Sequence, residues 1–258
     1  MKMIEVENLS FKYSKNTKTI LDNLSFTIEK GTVNVLIGLN GSGKTTLIKT
    51  LAGLLDRYGG KISLNGRNLS EIKISDRAKL MSYVAQRNHS IDDFLVREYL
   101  LFGRVNKLSF YSTPQKEDEN EMLKCAKRFE IEHLLDKKLG EISGGERQIV
   151  SICSAIVQDT DLIILDEPTS ALDIKNQHMV LSIIKDVANE GQKTFIMSSH
   201  NPNHALFLNG NVLVLQDGQI ALKGSAKDII TKENLEPVYG HNICYSKELP
   251  YTEISFGE

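Results

Sequence analysis

The nine residues Gly38-Leu39-Asn40-Gly41-Ser42-Gly43-Lys44-Thr45-Thr46 run as a glycine, four residues, then Gly-Lys-Thr and a second threonine. Before them Val33-Asn34-Val35-Leu36-Ile37 is a short, mainly apolar run suited to a buried strand. After them Leu47, Ile48, Leu51, Leu54 and Leu55 recur at helical spacing. A strand, a glycine-rich loop and a helix in that order are the context in which this pattern cradles phosphate. Three glycines let the backbone curl so that successive N–H groups face phosphate oxygens, and the helix N-terminus adds partial positive charge. Lys44 is then placed to reach the β- and γ-phosphates, and Thr45 to offer its hydroxyl to Mg²⁺. A glycine-rich turn that merely caps a helix is the bland alternative; the flanking strand and helix favour nucleotide binding.

Far downstream, Leu162-Ile163-Ile164-Leu165-Asp166-Glu167-Pro168 sets four apolar residues against two carboxylates. It reads as a buried strand ending in acid. Asp166 is placed to hold Mg²⁺ and Glu167 to polarise an attacking water. A solvated acidic turn is the alternative, less attractive once the phosphate loop is present.

Ile142-Ser143-Gly144-Gly145-Glu146-Arg147-Gln148 precedes Ile149, Ile152, Cys153, Ile156 and Val157, an apolar stripe at helical spacing. Ser143 with Glu146 three residues on forms a capping box, so one reading is a capped core helix without chemistry. Glycine near a capped helix start is costly, however, and it is what a backbone needs to approach a phosphate closely. Ser143, Gly144 and Gly145 thus make a second candidate anion site.

Taken together, these motifs resemble the nucleotide-binding subunit of an ATP-binding cassette (ABC) transporter over nearly the whole chain. Residues 38–45 match the family's Walker A, 162–167 its Walker B and 143–148 its signature motif. The resemblance implies that Tyr13 stacks on adenine, that Gln86 touches Mg²⁺ and relays to a permease, that Ser170-Ala171-Leu172-Asp173 crosses a dimer interface, and that His200 contacts the γ-phosphate. His200 follows the strand-like run Thr194-Phe195-Ile196-Met197, at the end where doubly wound sheets put ligands. The other five histidines have no such setting and read as surface residues. Two departures stand out: Ile142, where the family usually has leucine, and Asn201, where it often has aspartate.

The fold implied is α/β: a P-loop ATPase core with an antiparallel β layer and an inserted helical subdomain. Residues 1–86 and 158–239 would form the core, 87–157 the helical subdomain with the signature, and 240–258 an unassigned tail. Gly59-Gly60 and Asn65-Gly66 read as turns, Thr113-Pro114 as a helix start followed by an apolar face of Met122, Leu123, Ala126 and Phe129, and Asp217-Gly218 as the turn of a hairpin.

Composition excludes several classes. At 258 residues, with 31 Lys and Arg against 33 Asp and Glu, the chain has room for a large core and shows no basic patch for nucleic acid. No apolar stretch approaches the ~20 residues that span a bilayer. Met1-Lys2-Met3-Ile4-Glu5 leads straight into a strand pattern and does not read as a signal peptide. Cys125, Cys153 and Cys244 lack metal spacing and read as reduced thiols.

What the resemblance implies about partners and chemistry follows. Two copies would close head to tail on ATP and Mg²⁺, each nucleotide sandwiched between one copy's Lys44 loop and the other's Ser143 helix. The homodimer would sit at the cytoplasmic face of the cell membrane with transmembrane permease subunits and a separate substrate-binding protein. Leu101-Phe102-Gly103-Arg104 and His200-Asn201-Pro202-Asn203-His204 resemble importers of iron-siderophore, haem, cobalamin or molybdate. A permease-free ATPase of iron–sulfur cluster assembly, or another importer or exporter class, is the alternative. A chromosome or DNA-repair member is disfavoured, because no sustained heptad lies between Thr46 and Glu141.

Overall fold

A computed structural model describes residues 1–14, 18–86, 92–107, 114–191 and 193–240. The strands are β1 (Lys2–Phe11), β2 (Leu21–Glu29), β3 (Val33–Ile37), β4 (Tyr58–Leu64), β5 (Arg67–Asn68), β6 (Met81–Val84), β7 (Leu162–Leu165), β8 (Thr194–Ser198), β9 (Asn211–Gln216) and β10 (Gln219–Ser225). The helices are α1 (Lys44–Leu51), α2 (Ile74–Leu80), α3 (Val96–Phe102), α4 (Lys116–Arg128), α5 (Gly144–Val157), α6 (Ile174–Gly191), α7 (Asn203–Phe207), α8 (Ala226–Ile229) and α9 (Lys232–Tyr239).

Two sheets organise the molecule. An antiparallel sheet runs β2-β1-β4-β5; a six-stranded sheet runs β10-β9-β3-β8-β7-β6, parallel from β9 to β6 with β10 added antiparallel at the edge. The period-2 side-chain alternation of the parallel strands divides the core. Leu36, Leu162, Ile164, Ile196 and Leu213 face the antiparallel sheet and enclose Leu47, Ile48 and Leu51 of α1 between the layers. Val35, Ile37, Ile163, Leu165, Phe195, Met197 and Val214 face the other way, onto α5, α6 and their neighbours. A strand buried on both faces must be apolar at every position, which is why Leu162-Ile163-Ile164-Leu165 shows no alternation.

The described elements between 92 and 157 are helices and helical turns, with one isolated bridge joining Leu95 to Lys138. Among the described residues no helix is long and apolar enough to cross a membrane. Asp217-Gly218 and Asn65-Gly66 are hairpin turns.

Three expectations need correction. Gly59-Gly60 is not a turn but lies within β4: the register against β1 shifts between Glu7 and Ser10, and Gly60 takes φ 84° at a point where a Cβ would collide with the carbonyls of Glu7 and Asn8. A crowded bulge, rather than a reversal, needs glycine there. Helix α1 ends at Leu51, so Leu54 lies beyond it and is exposed. Helix α4 begins at Lys116, capped by Gln115; Thr113 lies outside the described residues. Its buried face is Met122, Cys125, Ala126 and Phe129, while Leu123 is 45% exposed. Cys125 and Cys153 are buried free thiols whose sulfurs lie 3.1 Å apart, and burial together with Cys125 pushes the Cys153 thiol well up. Cys244 and the tail beyond Gly240 lie outside the described residues.

Candidate functional site

The loop from Gly38 to Gly43 leaves β3 and delivers Lys44 as the first residue of α1, with Gly43 as helix cap. Gly38 has φ 149°, and a Cβ on it would strike the Leu215 carbonyl of β9, so only glycine fits where the loop leaves the sheet. Leu39 is 51% exposed, and Asn40 and Gly41 are also exposed. The Lys44 ammonium donates to the carbonyls of Gly38 at 2.8 Å and Leu39 at 3.0 Å, so the side chain folds over its own loop. Burial holds that ammonium below its ordinary value, while Glu167 and then Asp166 push it back up. Ser42 Oγ is buried without a hydrogen-bond partner among the described residues, a polar atom that a phosphate oxygen would satisfy. Tyr13 stands at the loop's edge. Its ring is 59% exposed, packs edge-on against Phe11 with centroids 5.0 Å apart, and its hydroxyl lies 3.1 Å from that of Thr46.

Strand β7 brings the carboxylates to this loop. Thr45 Oγ1 donates to Asp166 Oδ1 at 3.2 Å, and Ser198 Oγ, at the end of β8, donates to the same oxygen at 2.7 Å. Ser198 Oγ also accepts from the Glu167 amide at 2.8 Å, so one hydroxyl ties the two acids together. Glu167 has φ 48°, a left-handed conformation that costs a non-glycine residue of order 1 kcal/mol or more. Gln86, just past β6, donates from Nε2 to Glu167 Oε2 at 2.7 Å. Hydroxyl, carboxylate and amide oxygens from Thr45, Asp166 and Gln86 are hard donors of the kind Mg²⁺ takes alongside phosphate. The donor set therefore fits that ion. Burial, reinforced by Asp166, pushes the nearby Tyr83 phenol up to about 12.

His200 follows Ser198-Ser199 and is exposed at the C-terminal end of the parallel strands. The reading of the remaining histidines as surface residues fails at His204, which is 6% exposed. It lies on α7, four residues from His200, where its Nδ1 is 2.9 Å from Ser199 Oγ. His133 and His178 are exposed; His89 and His241 lie outside the described residues. Ser198, Ser199 and His204 are the site residues that sequence reasoning passed over. Their one local signal was a pair of serines beside His200. Asn201 accepts from the Asn203 amide at 3.0 Å, using its side chain as a turn former.

Ser143 caps α5: its Oγ accepts from the Glu146 amide at 3.2 Å, and the Glu146 carboxylate accepts from the Ser143 amide at 2.8 Å. That backbone bond, with the Ser143 side chain, holds the Glu146 carboxyl below its ordinary value. Arg147 anchors the helix start to Asp92 at 2.7 Å and to the Leu139 carbonyl at 2.6 Å. A Cβ on Gly144 would meet open space, and one on Gly145 would touch Ala171 and Leu172. Asp173 caps α6 through the Asn176 amide at 2.8 Å. Among the described residues no hydrogen bond joins 143–147 to 38–46. The structure thus joins Thr45, Asp166, Glu167 and Gln86 by hydrogen bonds through Ser198, sets the Lys44 ammonium within the electrostatic reach of both acids, and leaves Ser143 and Gly144 exposed apart from them.

The chain is similar to known proteins. A family model described as ABC transporter matches residues 21–170. An uncharacterized ABC transporter ATP-binding protein of Haemophilus influenzae is 38% identical over 92% of this chain and 89% of its own length. A Helicobacter pylori protein named as a probable iron chelatin transport ATP-binding protein is 35% identical, covering 92% of each chain. A solved transporter described as of metal-chelate type, in an inward-facing conformation, has a TM-score of 0.78 at 30% identity, over 93% of this chain and 89% of that one.

Proposed function

We propose, from the premise that this chain belongs to the ABC transporter family of ATP-binding subunits and is an ATPase, that it powers import of a metal-chelate type substrate through a separate membrane permease. The site residues then divide the work. The amides of 38–46 and Lys44 hold the phosphates, and Tyr13 stacks on the base. Thr45, Asp166 and Gln86 hold Mg²⁺, which when bound neutralises charge on the phosphates. Glu167 accepts a proton from the attacking water as general base, and His200 contacts the γ-phosphate.

Ser143, Gly144 and Gly145 complete the site of a second copy in a head-to-tail dimer that closes on ATP and reopens after hydrolysis. One observation carries this reading: the signature end of α5 is capped, exposed and unconnected to its own chain's phosphate loop. An N-terminus open to solvent is free to meet an anion from outside. The division into a core (1–86 and 158–239) and a helical subdomain (87–157) belongs to the same proposal, since it separates the two half-sites.

Docking of a permease is supported by an apolar surface. Phe94 and Phe102 are 38% and 51% exposed and stack edge-on with centroids 5.2 Å apart. Beside them Tyr83, Tyr99, Phe102 and Ser154 line a groove of about 210 Å³, and the buried Tyr83 hydroxyl has no hydrogen-bond partner among the described residues. A short cytoplasmic helix of the permease would cover the rings and satisfy the hydroxyl, with the chain at the cytoplasmic face of the membrane and a substrate-binding protein on the far side. The iron-chelatin and metal-chelate names of its relatives support the substrate class.

The test is co-expression with the candidate permease and binding protein in vesicles. ATP-dependent uptake of a ferric chelate, with the chain co-purifying with the permease, is the expected result. An active ATPase that binds no membrane protein would defeat the transport reading and favour the permease-free alternative.

A further inference from the structure

The turn that carries His200 is built around one hydroxyl. Ser199 is 2% exposed, and its amide donates to Leu36 of β3 at 2.9 Å, holding the chain to the strand that feeds the phosphate loop. Its Oγ accepts from the Asn201 amide at 3.0 Å, lies 3.2 Å from the Asn201 carbonyl and lies 2.9 Å from His204 Nδ1. A hydroxyl has one proton and two lone pairs. All three contacts are satisfied when Oγ donates to the Asn201 carbonyl and accepts from the Asn201 amide and from Nδ1–H of His204. His200 therefore sits between two residues clamped to a single oxygen, and the imidazole beneath them supplies the third bond.

We infer that His204 is a positioning residue for hydrolysis: through Ser199 it fixes the turn of residues 199–201 and so aims His200. This rests on the proposed contact of His200 with the γ-phosphate. Burial, with a smaller push from His200, lowers the His204 imidazole to about 4, so the ring is neutral at pH 7 and can donate from one nitrogen without carrying charge. Among the described residues His204 hydrogen-bonds Ser199 and no phosphate-loop residue. Its effect on the reaction runs through the turn.

The experiment is a set of ATP hydrolysis and ATP-binding measurements on purified variants. His204→Leu should lower turnover roughly 10- to 100-fold, as small misplacements of catalytic groups do, with ATP affinity within about twofold of wild type. His204→Asn, whose amide can stand where Nδ1–H stands, should recover most of the rate, and Ser199→Ala should reproduce the loss without emptying buried volume. In a His200→Ala background neither His204→Leu nor Ser199→Ala should slow hydrolysis further. If His200→Ala is slow but the second substitution slows it by its full factor again, with no recovery in His204→Asn, the positioning role is overturned and His204 is a packing residue. If His200→Ala hydrolyses ATP at the wild-type rate, the role of His200 falls and this inference with it.

Discussion

Hydrogen bonds on either side hold Glu167 in its left-handed conformation: the Asp166 amide donates to the Val84 carbonyl, the Glu167 amide to Ser198, and the Ser170 amide back to the Glu167 carbonyl. Strain of this kind is tolerated where chemistry needs a group aimed. Glu167→Gln retains shape but not basicity, so hydrolysis should fall by roughly 10²- to 10⁴-fold while ATP binding persists and an ATP-bound dimer accumulates on a sizing column; wild-type turnover would remove Glu167 from the role of base. Lys44→Ala should differ by weakening ATP binding itself, since a ground-state phosphate contact is lost. His204 makes a separate prediction about stability. Its folded value of about 4 lies below the unfolded ~6.5, so the unfolded chain binds more protons between those values. The neutral ring's stability is fully present above pH ~6.5 and is lost as the pH falls towards 4. From pH 7 to pH 5 the wild type should lose about 2 kcal/mol more unfolding free energy than His204→Asn, measured by urea melts. Equal losses would show that the buried imidazole is not the cause.

At the scale of elements, α5 has two duties at one end. Its capping box satisfies its own amides, and the same exposed turn is the proposed half-site for another copy. Ser143→Arg removes the cap, which should cost about 1 kcal/mol, and sets bulk and charge where a partner's γ-phosphate would enter. ATP binding to the monomer should survive while hydrolysis disappears. Parallel loss of both would mean that the variant misfolds and that the shared-site argument has no support. Helix α4 shows how an amphipathic pattern misleads: Met122, Ala126 and Phe129 are buried as their spacing implies, but Leu123 points to solvent because the buried stripe passes through Cys125 instead.

At the scale of the molecule, the exposed rings of Phe94 and Phe102 stack on each other beside the groove that Tyr83 and Tyr99 line. Phe102→Asp should leave basal ATPase activity near wild type, because the ring is 51% exposed and packs no catalytic group. It should abolish permease association and substrate uptake in membranes. Full uptake by a folded Phe102→Asp protein would rule out this surface as the docking site.

Motif order, the strand–loop–helix context of Lys44 and the run of helices ahead of Val157 were legible in the residues alone. Such signals are local: a phosphate loop, a capping box or an Asp-Gly hairpin is decided within about ten residues. The joining of the site was not local. Thr45 meets Asp166 across 121 positions, Gln86 meets Glu167 across 81, and Ser198 reaches Asp166 across 32. No periodicity marks Ser198 as the bridge between two acids, or His204 as buried, because both depend on which strands lie side by side. The β7–β8–β3 order puts Ser198 beside Asp166 and Ser199 beside Leu36. The bulge at Gly60 has the same origin: its need for glycine comes from the carbonyls of Glu7 and Asn8 on a neighbouring strand. Sequence determined the chemistry available to this protein; only the packing of distant strands decided which hydroxyls and imidazoles support it.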